Sequence, residues 1–284
     1  MKPVIVLTML CIVVLGQEQV FKADARLIEV YATVQDHKGR YVDGLSAGQF
    51  LIMDEGQRRD VVAFEAENAA VSCALLLDTT GSMQDALPVV KNAAVSLIGE
   101  LREGDAISVY GFSTTVNLLQ DFTQDRAAAR RAVLRTRASG ATALFDAIAQ
   151  VTRDLAHRQG KKVVVMFTDG ADNSSVLRAG SAIARAQKSG IEIYTVAEGD
   201  ALKDPALLKQ LRTIAEGSGG NFYEAKKNAD ISPIFHDILD HMQHTYMLTY
   251  APPELEGSHW RKIQVAVPEL KDSKIRSREG YFTQ

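Results

Sequence analysis

Apolar runs alternate with amphipathic segments across residues 71–243, and this alternation constrains the fold of the chain more than any other feature. Residues 71–77, 107–112 and 163–167 are short, largely apolar runs, typical of strands covered on both faces. Between such runs apolar residues recur at spacings of three and four, as in residues 87–101, which predicts helices. The alternation predicts an α/β fold with a doubly wound, mostly parallel sheet and helices on both faces.

The same pattern places the remaining elements of this central domain, which we expect over residues 70–243. Further strands are expected at residues 191–196 and 221–224, and further helices from residue 126 and at 143–157, 181–188, 206–215 and 229–243. Cys73 stands in the first apolar run and is expected to be a small core residue, since no second cysteine remains nearby to pair with it.

The two ends of the chain carry a different pattern. Residues 17–69 and 244–284 contain alternating polar and apolar segments separated by turn signals such as "DHKG" and "PPELEG", which predicts β-hairpins. Isolated hairpins are marginally stable. We therefore expect the N-terminal and C-terminal β arms to pack together as one β module beside the central domain. Two independent β extensions are the alternative, and the sequence does not separate the two cases.

The first sixteen residues have the layout of a secretory signal peptide. Lys2 precedes an apolar run over residues 4–15, and Gly16 provides a small-residue cleavage site. The run is short for a membrane span, so we expect an exported protein, periplasmic or extracellular, that is not an integral membrane protein after cleavage of residues 1–16. A buried N-terminal strand is the alternative.

The amino-acid composition limits which classes of partner the protein can bind. Charged residues make up 24% of the chain and hydrophobic residues 46%, as in an ordinary globular protein. The formal net charge is −3, and removal of Lys2 with the signal peptide would make it −4. Because no basic cluster is visible in the sequence, we expect no nucleic-acid partner.

Oxygen-bearing side chains follow three of the predicted strands. "LLLDTTGSMQ" supplies Asp78, Thr80 and Ser82, "SGATALFD" places Thr142 at the start of a helix, and "VVVMFTDGADN" brings Asp169 out of a buried strand. Ligands of doubly wound sheets bind beyond the carboxyl ends of the strands. Carboxylates and hydroxyls without histidine or thiolate suit Mg²⁺, with Mn²⁺ also possible. The pattern predicts a metal site formed by these five residues.

Each of these residues also has a simpler explanation. Thr79, Thr80 and Ser82 can cap the following helix, and Thr142 can be an N-cap. Asp169 followed by glycine can be an ordinary turn. Taken one at a time the simpler explanation is favoured, but five such coincidences at one sheet edge favour the metal site.

This set of residues resembles the metal-ion-dependent adhesion site (MIDAS) of von Willebrand factor type A (VWA) domains. The first motif of that family is Asp-x-Ser-x-Ser, and residues 78–82 read "DTTGS". Thr142 matches the threonine of the family, and Asp169 matches its later aspartate. The departure is Thr80 in place of the first serine, which keeps the hydroxyl and adds a methyl group. The resemblance covers residues 71–243.

The resemblance implies a function. In this family the cation usually keeps one coordination position for a carboxylate of a partner protein, so we expect a non-enzymatic, exported, metal-dependent protein-binding or adhesion module. Two aspartates leave a divalent ion able to attract an Asp or Glu of the partner. The layout further resembles bacterial exported proteins that carry such a domain between N- and C-terminal β segments.

An enzyme is the alternative class. A Mg²⁺-dependent phosphatase of the haloacid dehalogenase type also begins with a strand-terminal aspartate, and Asp78 would then be the nucleophile. Against this reading, Thr80 cannot act as the general acid that such enzymes place two residues later. Ser82 and Thr142 would also have no role.

Two weaker signals have structural explanations. His236, His241 and His244 lie on the last predicted helix without enough further ligands for zinc, and we expect them on its solvated surface. Trp260, the only tryptophan, is expected to be a packing residue of the β module.

Overall fold

The computed structural model of the protein describes residues 27–66, 70–253 and 257–283, so the predicted signal peptide lies outside the described residues. In chain order the strands are β1 (Ile28–Gln35), β2 (Leu51–Asp54), β3 (Gln57–Arg59), β4 (Ala63–Ala66), β5 (Val71–Asp78), β6 (Ala106–Phe112), β7 (Val116–Thr123), β8 (Lys161–Thr168), β9 (Glu192–Glu198), β10 (Phe222–Ala225), β11 (Tyr246–Tyr250), β12 (Trp260–Ala266), β13 (Lys274–Ser277) and β14 (Gly280–Phe282). The α-helices are α1 (Leu87–Glu100), α2 (Arg126–Arg135), α3 (Leu144–Ala156), α4 (Ala179–Ser189), α5 (Pro205–Ser218) and α6 (Ile231–Gln243). None of the helices in these ranges has the length and apolar character required to cross a membrane.

The central sheet has six strands in the order β10-β9-β8-β5-β6-β7. Neighbouring strands are parallel except for β7, which runs antiparallel to β6 at the edge. The predicted α/β fold with a mostly parallel sheet is confirmed. Strand β7 was not predicted, because an edge strand whose residues are all exposed or half-buried lacks the apolar run that marks the inner strands.

Two layers of helices cover this sheet. Alternate residues of β5 enter different cores: Cys73, Leu75 and Leu77 pack on the side of α1, α2 and α6. Ala74 and Leu76 pack on the side of α3, α4 and α5. Because both faces are buried, the strand is a near-continuous apolar run. The prediction that Cys73 is a core residue is confirmed, since its side chain is fully buried.

The strands of the two chain ends form a two-layered β module. One sheet has the order β13-β1-β11-β4 and the other the order β14-β12-β2-β3. In the first sheet strands of the two arms alternate, with β11 between β1 and β4. In the second sheet the arms meet where β12 pairs with β2. Val30, Ile52, Leu248 and Ile263 share one core between the two sheets. The prediction of a β module formed by both arms is confirmed, and the alternative of independent extensions is wrong.

A buried ion pair links the two arms. Asp54 of β2 is fully buried, and its Oδ1 accepts from the Arg261 guanidinium of β12 at 2.7 Å. Its other carboxylate oxygen accepts from the hydroxyls of Tyr250 (3.1 Å) and Tyr281 (3.0 Å). Every partner of Asp54 in this group comes from the opposite chain end. Trp260 is 36% exposed, and its ring makes a packing contact in the β module, edge-on against Phe282 of β14.

The β module also covers part of α6, which corrects one prediction. His241 is 2% exposed, and its ring nitrogens lie 3.2 Å from Thr33 Oγ1 of β1 and 3.3 Å from Asn221 Nδ2. The expectation of a solvated helix surface is wrong for His241, because the N-terminal arm packs on that face. His236 is exposed, and the partly exposed His244 ring lies 2.8 Å from Asp43.

Candidate metal site

The carboxyl ends of β5 and β8 bring the first predicted site residues together. The two strands are parallel neighbours, so Asp78 and Thr168 reach the same edge of the sheet. Thr168 Oγ1 donates a hydrogen bond to Asp78 Oδ2 at 2.7 Å. Asp169, the next residue, leaves the strand at that edge. Sequence reasoning missed Thr168, whose role depends on which way its side chain points.

The loop after β5 adds two hydroxyls to this edge. The Thr80 backbone N–H donates to Asp78 Oδ1 at 2.9 Å, which folds the loop over the strand end. Thr80 Oγ1 lies 3.0 Å from Ser82 Oγ, and Ser82 Oγ donates to Asp169 Oδ1 at 2.9 Å. Thr80 is buried whereas Ser82 is exposed. Four of the five predicted residues thus form one hydrogen-bonded network that is open to solvent at Ser82.

Thr142, the fifth predicted residue, lies two residues before α3. Its N–H donates to Asn173 Oδ1 at 2.7 Å, and its carbonyl accepts from the N–H groups of Asn173 and Ser174. These bonds attach the loop that carries Thr142 to the loop that follows Asp169. A Cβ placed on Gly170 would lie 3.7 Å from Thr142 Oγ1, so the hydroxyl is beside the turn at Asp169. Within the described residues this hydroxyl has no hydrogen-bond partner.

Helix capping does not explain these hydroxyls. Thr80 precedes a short 3-10 helix (Gly81–Gln84) but makes no side-chain cap hydrogen bond. The residues before α1 and α3 are Ala86 and Ala143, so neither Ser82 nor Thr142 is an N-cap. Thr79 points elsewhere and donates its hydroxyl to the carbonyl of Phe112 at 3.0 Å. The capping alternative is therefore wrong for all four residues.

Burial shifts the acidity of the two aspartates. Asp78 is fully buried, and burial raises its pKa to about 6 although hydrogen bonds from Thr80 and Thr168 oppose the shift. Burial also raises the pKa of Asp169, against the hydrogen bond from Ser82. Burial therefore disfavours the ionised form of both carboxylates. Neither carboxylate forms an ion pair with a described residue.

Glu198 is a third carboxylate at this edge, and the sequence pattern did not predict it. Glu198 ends β9, beside β8, and is 7% exposed. Burial first, and then the charges of Asp169 and Asp78, raise its pKa to about 7. The apolar run "YTVA" is followed directly by Glu198 and Gly199. An acid at the end of an apolar run is the same signal that marked Asp78 at the end of β5. The predicted strand stopped at residue 196, so Glu198 was placed outside it.

These side chains fit a hard divalent cation. Burial of carboxylates is costly unless a positive charge or hydrogen-bond donors accompany them. Across the described ranges no group of three or more His, Cys, Asp or Glu side chains is arranged to hold a metal. The predicted donors at this edge are instead two carboxylates and three hydroxyls, which are hard oxygen ligands of the kind that Mg²⁺ takes. Metal binding by Asp78, Thr80, Ser82, Thr142 and Asp169 stays a prediction.

The fold and the strand-end site together define an α/β domain of a known family. A family model described as the von Willebrand factor type A domain matches residues 73–237. This match spans more than half of the chain, and the protein belongs to the von Willebrand factor type A family.

Similar proteins extend the comparison. The chain is 24% identical over 240 residues to Uncharacterized protein sll0103 of Synechocystis sp., covering 78% of this chain and 56% of that relative. The chain thus spans little more than half the length of this curated relative.

Solved structures share the fold at low identity. A von Willebrand factor type A protein from Catenulispora acidiphila has a TM-score of 0.54 at 16% identity, covering 92% of this chain and 75% of that one. The vWF domain of the type V pili tip protein Mfa5 from Porphyromonas gingivalis has a TM-score of 0.53 at 15% identity, covering 61% and 95%. At these identities the likeness concerns the fold.

Proposed function

We propose that this protein is an exported, non-enzymatic binding module that coordinates a carboxylate of a partner protein through Mg²⁺ at the Asp78 site. The observation that carries the proposal is the convergence of two buried carboxylates and three hydroxyls, carried together by three loops, without a cationic partner among the described residues. Such a set leaves charge to be neutralised and supplies oxygen donors for it.

Each residue has a distinct part in this proposal. Asp78 and Asp169 would supply the negative charge, and the hydroxyls of Thr80, Ser82 and Thr142 would supply neutral donors. When bound, Mg²⁺ acts as a point of positive charge for an incoming carboxylate. Because only two carboxylates would coordinate the ion directly, its direct ligands do not over-neutralise it. Ser82 is exposed, so a partner can approach this edge from solvent.

Export and adhesion rest on two further observations. Residues 1–16 have the layout of a signal peptide. VWA domains are generally non-enzymatic protein-binding modules, and one solved structure of similar fold is named as a pili tip protein. Nothing favours the phosphatase alternative: Asp78 is fully buried, and both of its carboxylate oxygens accept hydrogen bonds, from Thr80 and Thr168.

An array of synthetic peptides tests the proposal. The peptides carry a central Asp or Glu, or Asn or Gln in matched copies, and are probed with the labelled protein in Mg²⁺ and in EDTA. We expect binding to a subset of the acidic peptides, only in Mg²⁺, and its loss in Asp78→Ala. Asp85→Ala is the matched control, because Asp85 is exposed on the same loop and outside the network. Equal binding in EDTA, or equal binding to the Asn and Gln copies, would contradict the proposal.

A further inference from the structure

We infer that Glu198 strengthens cation binding at the Asp78 site through its charge, from outside the set of direct ligands. The inference rests on the proposed function and adds a sixth residue to the site. It starts from an imbalance in the fold: Glu198 is 7% exposed, yet no described residue donates a hydrogen bond to its side chain or forms an ion pair with it.

Strand pairing holds Glu198 beside the site. β9 runs parallel to β8 with Ala197 opposite Thr168, so Glu198 is level with Asp169. The segment that follows Glu198 is bonded to Asp169 as well, because the Ala201 N–H donates to the Asp169 carbonyl at 2.7 Å. A Cβ on Gly199 would lie 3.4 Å from the Asp169 Cβ. The backbone therefore holds Glu198 close to the site.

A second buried glutamate, Glu192, lies at the opposite end of β9 and serves as a comparison. Glu192 begins β9 and is 4% exposed. Its carboxylate lies 3.3 Å from Lys161 Nζ and accepts from the Tyr194 hydroxyl at 3.0 Å. Glu192 thus has both an ion pair and a hydrogen bond, whereas Glu198 has neither among the described residues. Partial burial of a carboxylate without a hydrogen-bond donor is unfavourable, and a nearby cation would reduce that cost.

Glu198 would act at longer range than the five donors. The acidic groups at this edge do not form a three-carboxylate cluster in the described part of the chain. A negative charge outside the ligand shell still attracts the cation, and in a partly buried site screening by solvent is weak. Even at the dielectric constant of water, a unit charge about 8 Å from a divalent ion changes the binding constant about fivefold.

The test compares the full chain with Glu198→Gln, which keeps the shape of the side chain and removes the charge. Glu224→Gln is the matched control, because Glu224 lies at the same sheet edge on β10 but is exposed and paired with Arg212. Melting temperature in EDTA and the Mg²⁺ dissociation constant by calorimetry are measured for all three proteins. We expect Glu198→Gln to melt higher than wild type in EDTA and to bind Mg²⁺ at least about fivefold more weakly. Glu224→Gln should match wild type in both.

Two results would overturn the inference. Wild-type Mg²⁺ affinity in Glu198→Gln would show that its charge does not act on the cation while leaving the proposed function intact. A lower melting temperature of this variant in EDTA would show that Glu198 stabilises the metal-free fold. If the wild-type protein binds no Mg²⁺, the proposed function fails, and the role of Glu198 fails with it.

Discussion

Thr80 is the residue at which this chain departs from the Asp-x-Ser-x-Ser motif of its family. Its hydroxyl lies 3.0 Å from Ser82 Oγ, and the side chain is 2% exposed. The position thus uses the hydroxyl within the site network, while the extra methyl group is accommodated in a buried environment. We therefore expect serine to replace threonine as a donor here, and valine, which has the shape of threonine but no hydroxyl, not to replace it.

Substitution of Thr80 separates these two properties. Thr80→Val should weaken Mg²⁺ binding at least about tenfold, because a bond to a charged group contributes about 1.5–3 kcal/mol. Thr80→Ser should remain within about threefold of wild type, since the ligand oxygen is kept. Calorimetric titration of both variants measures the difference. Equal loss in Thr80→Ser and Thr80→Val would mean that packing of the methyl group, and not the hydroxyl, matters.

At the residue scale, the sequence predicts donors but not their surroundings. Asp78 and Asp169 could be placed together because parallel neighbouring strands end at one edge. Thr168 could not, since its hydrogen bond to Asp78 depends on side-chain direction. Glu198 could not either, because its importance lies in the absence of a partner among the described residues, which only the folded chain reveals.

Helix α6 shows how one element joins the two parts of the molecule. One side of it packs in the core of the central domain, and His241 faces β1 of the β module. Next to it, the buried Lys161 ammonium donates to Thr245 Oγ1 at 2.6 Å. The groups that surround His241 are Thr33 of β1, Tyr41, Lys161 of β8, Tyr194 of β9, Asn221 and Arg276 of β13.

The buried imidazole should make stability depend on pH. Burial first, and then the charges of Lys161 and Arg276, hold the pKa of His241 well below its usual 6.5. The unfolded chain therefore binds a proton that the folded chain does not. Stability from this group is complete above pH 6.5 and is lost as pH falls below it, by up to about 1.4 kcal/mol per pH unit.

Urea unfolding of wild type and His241→Gln between pH 8 and pH 5 checks this prediction. The free energy of unfolding of wild type should fall more steeply below pH 6.5 than that of the variant, which has no titrating group at this position. The other buried acids titrate in both proteins, so the difference between the curves isolates His241. Parallel curves would contradict the predicted shift.

The elements themselves differ in how well the sequence predicts them. Inner strands such as β5 and β8 are continuous apolar runs and are placed within a few residues. Strand β7 was missed, because none of its residues is buried. The buried face of α6 near His241 was also missed, because the covering strand β1 lies about 200 residues away in the chain.

The whole molecule combines a central α/β domain with a β module assembled from both chain ends. Local patterns predict hairpins in each arm, but the alternation of β1, β11 and β4 depends on pairing across the full length of the chain. The module packs near the beginnings of β8 and β9, through contacts to His241 and Lys161. The candidate metal site lies at the opposite, carboxyl ends of these strands and is left open.

Titration of Mg²⁺ into the full chain by isothermal calorimetry, beside Asp78→Ala, is the most direct measurement. We expect one ion to bind per wild-type chain and none to bind to the variant, with circular dichroism showing that both are folded. A folded wild-type protein that binds no Mg²⁺, or equal binding by Asp78→Ala, would contradict a metal site at the ends of β5 and β8.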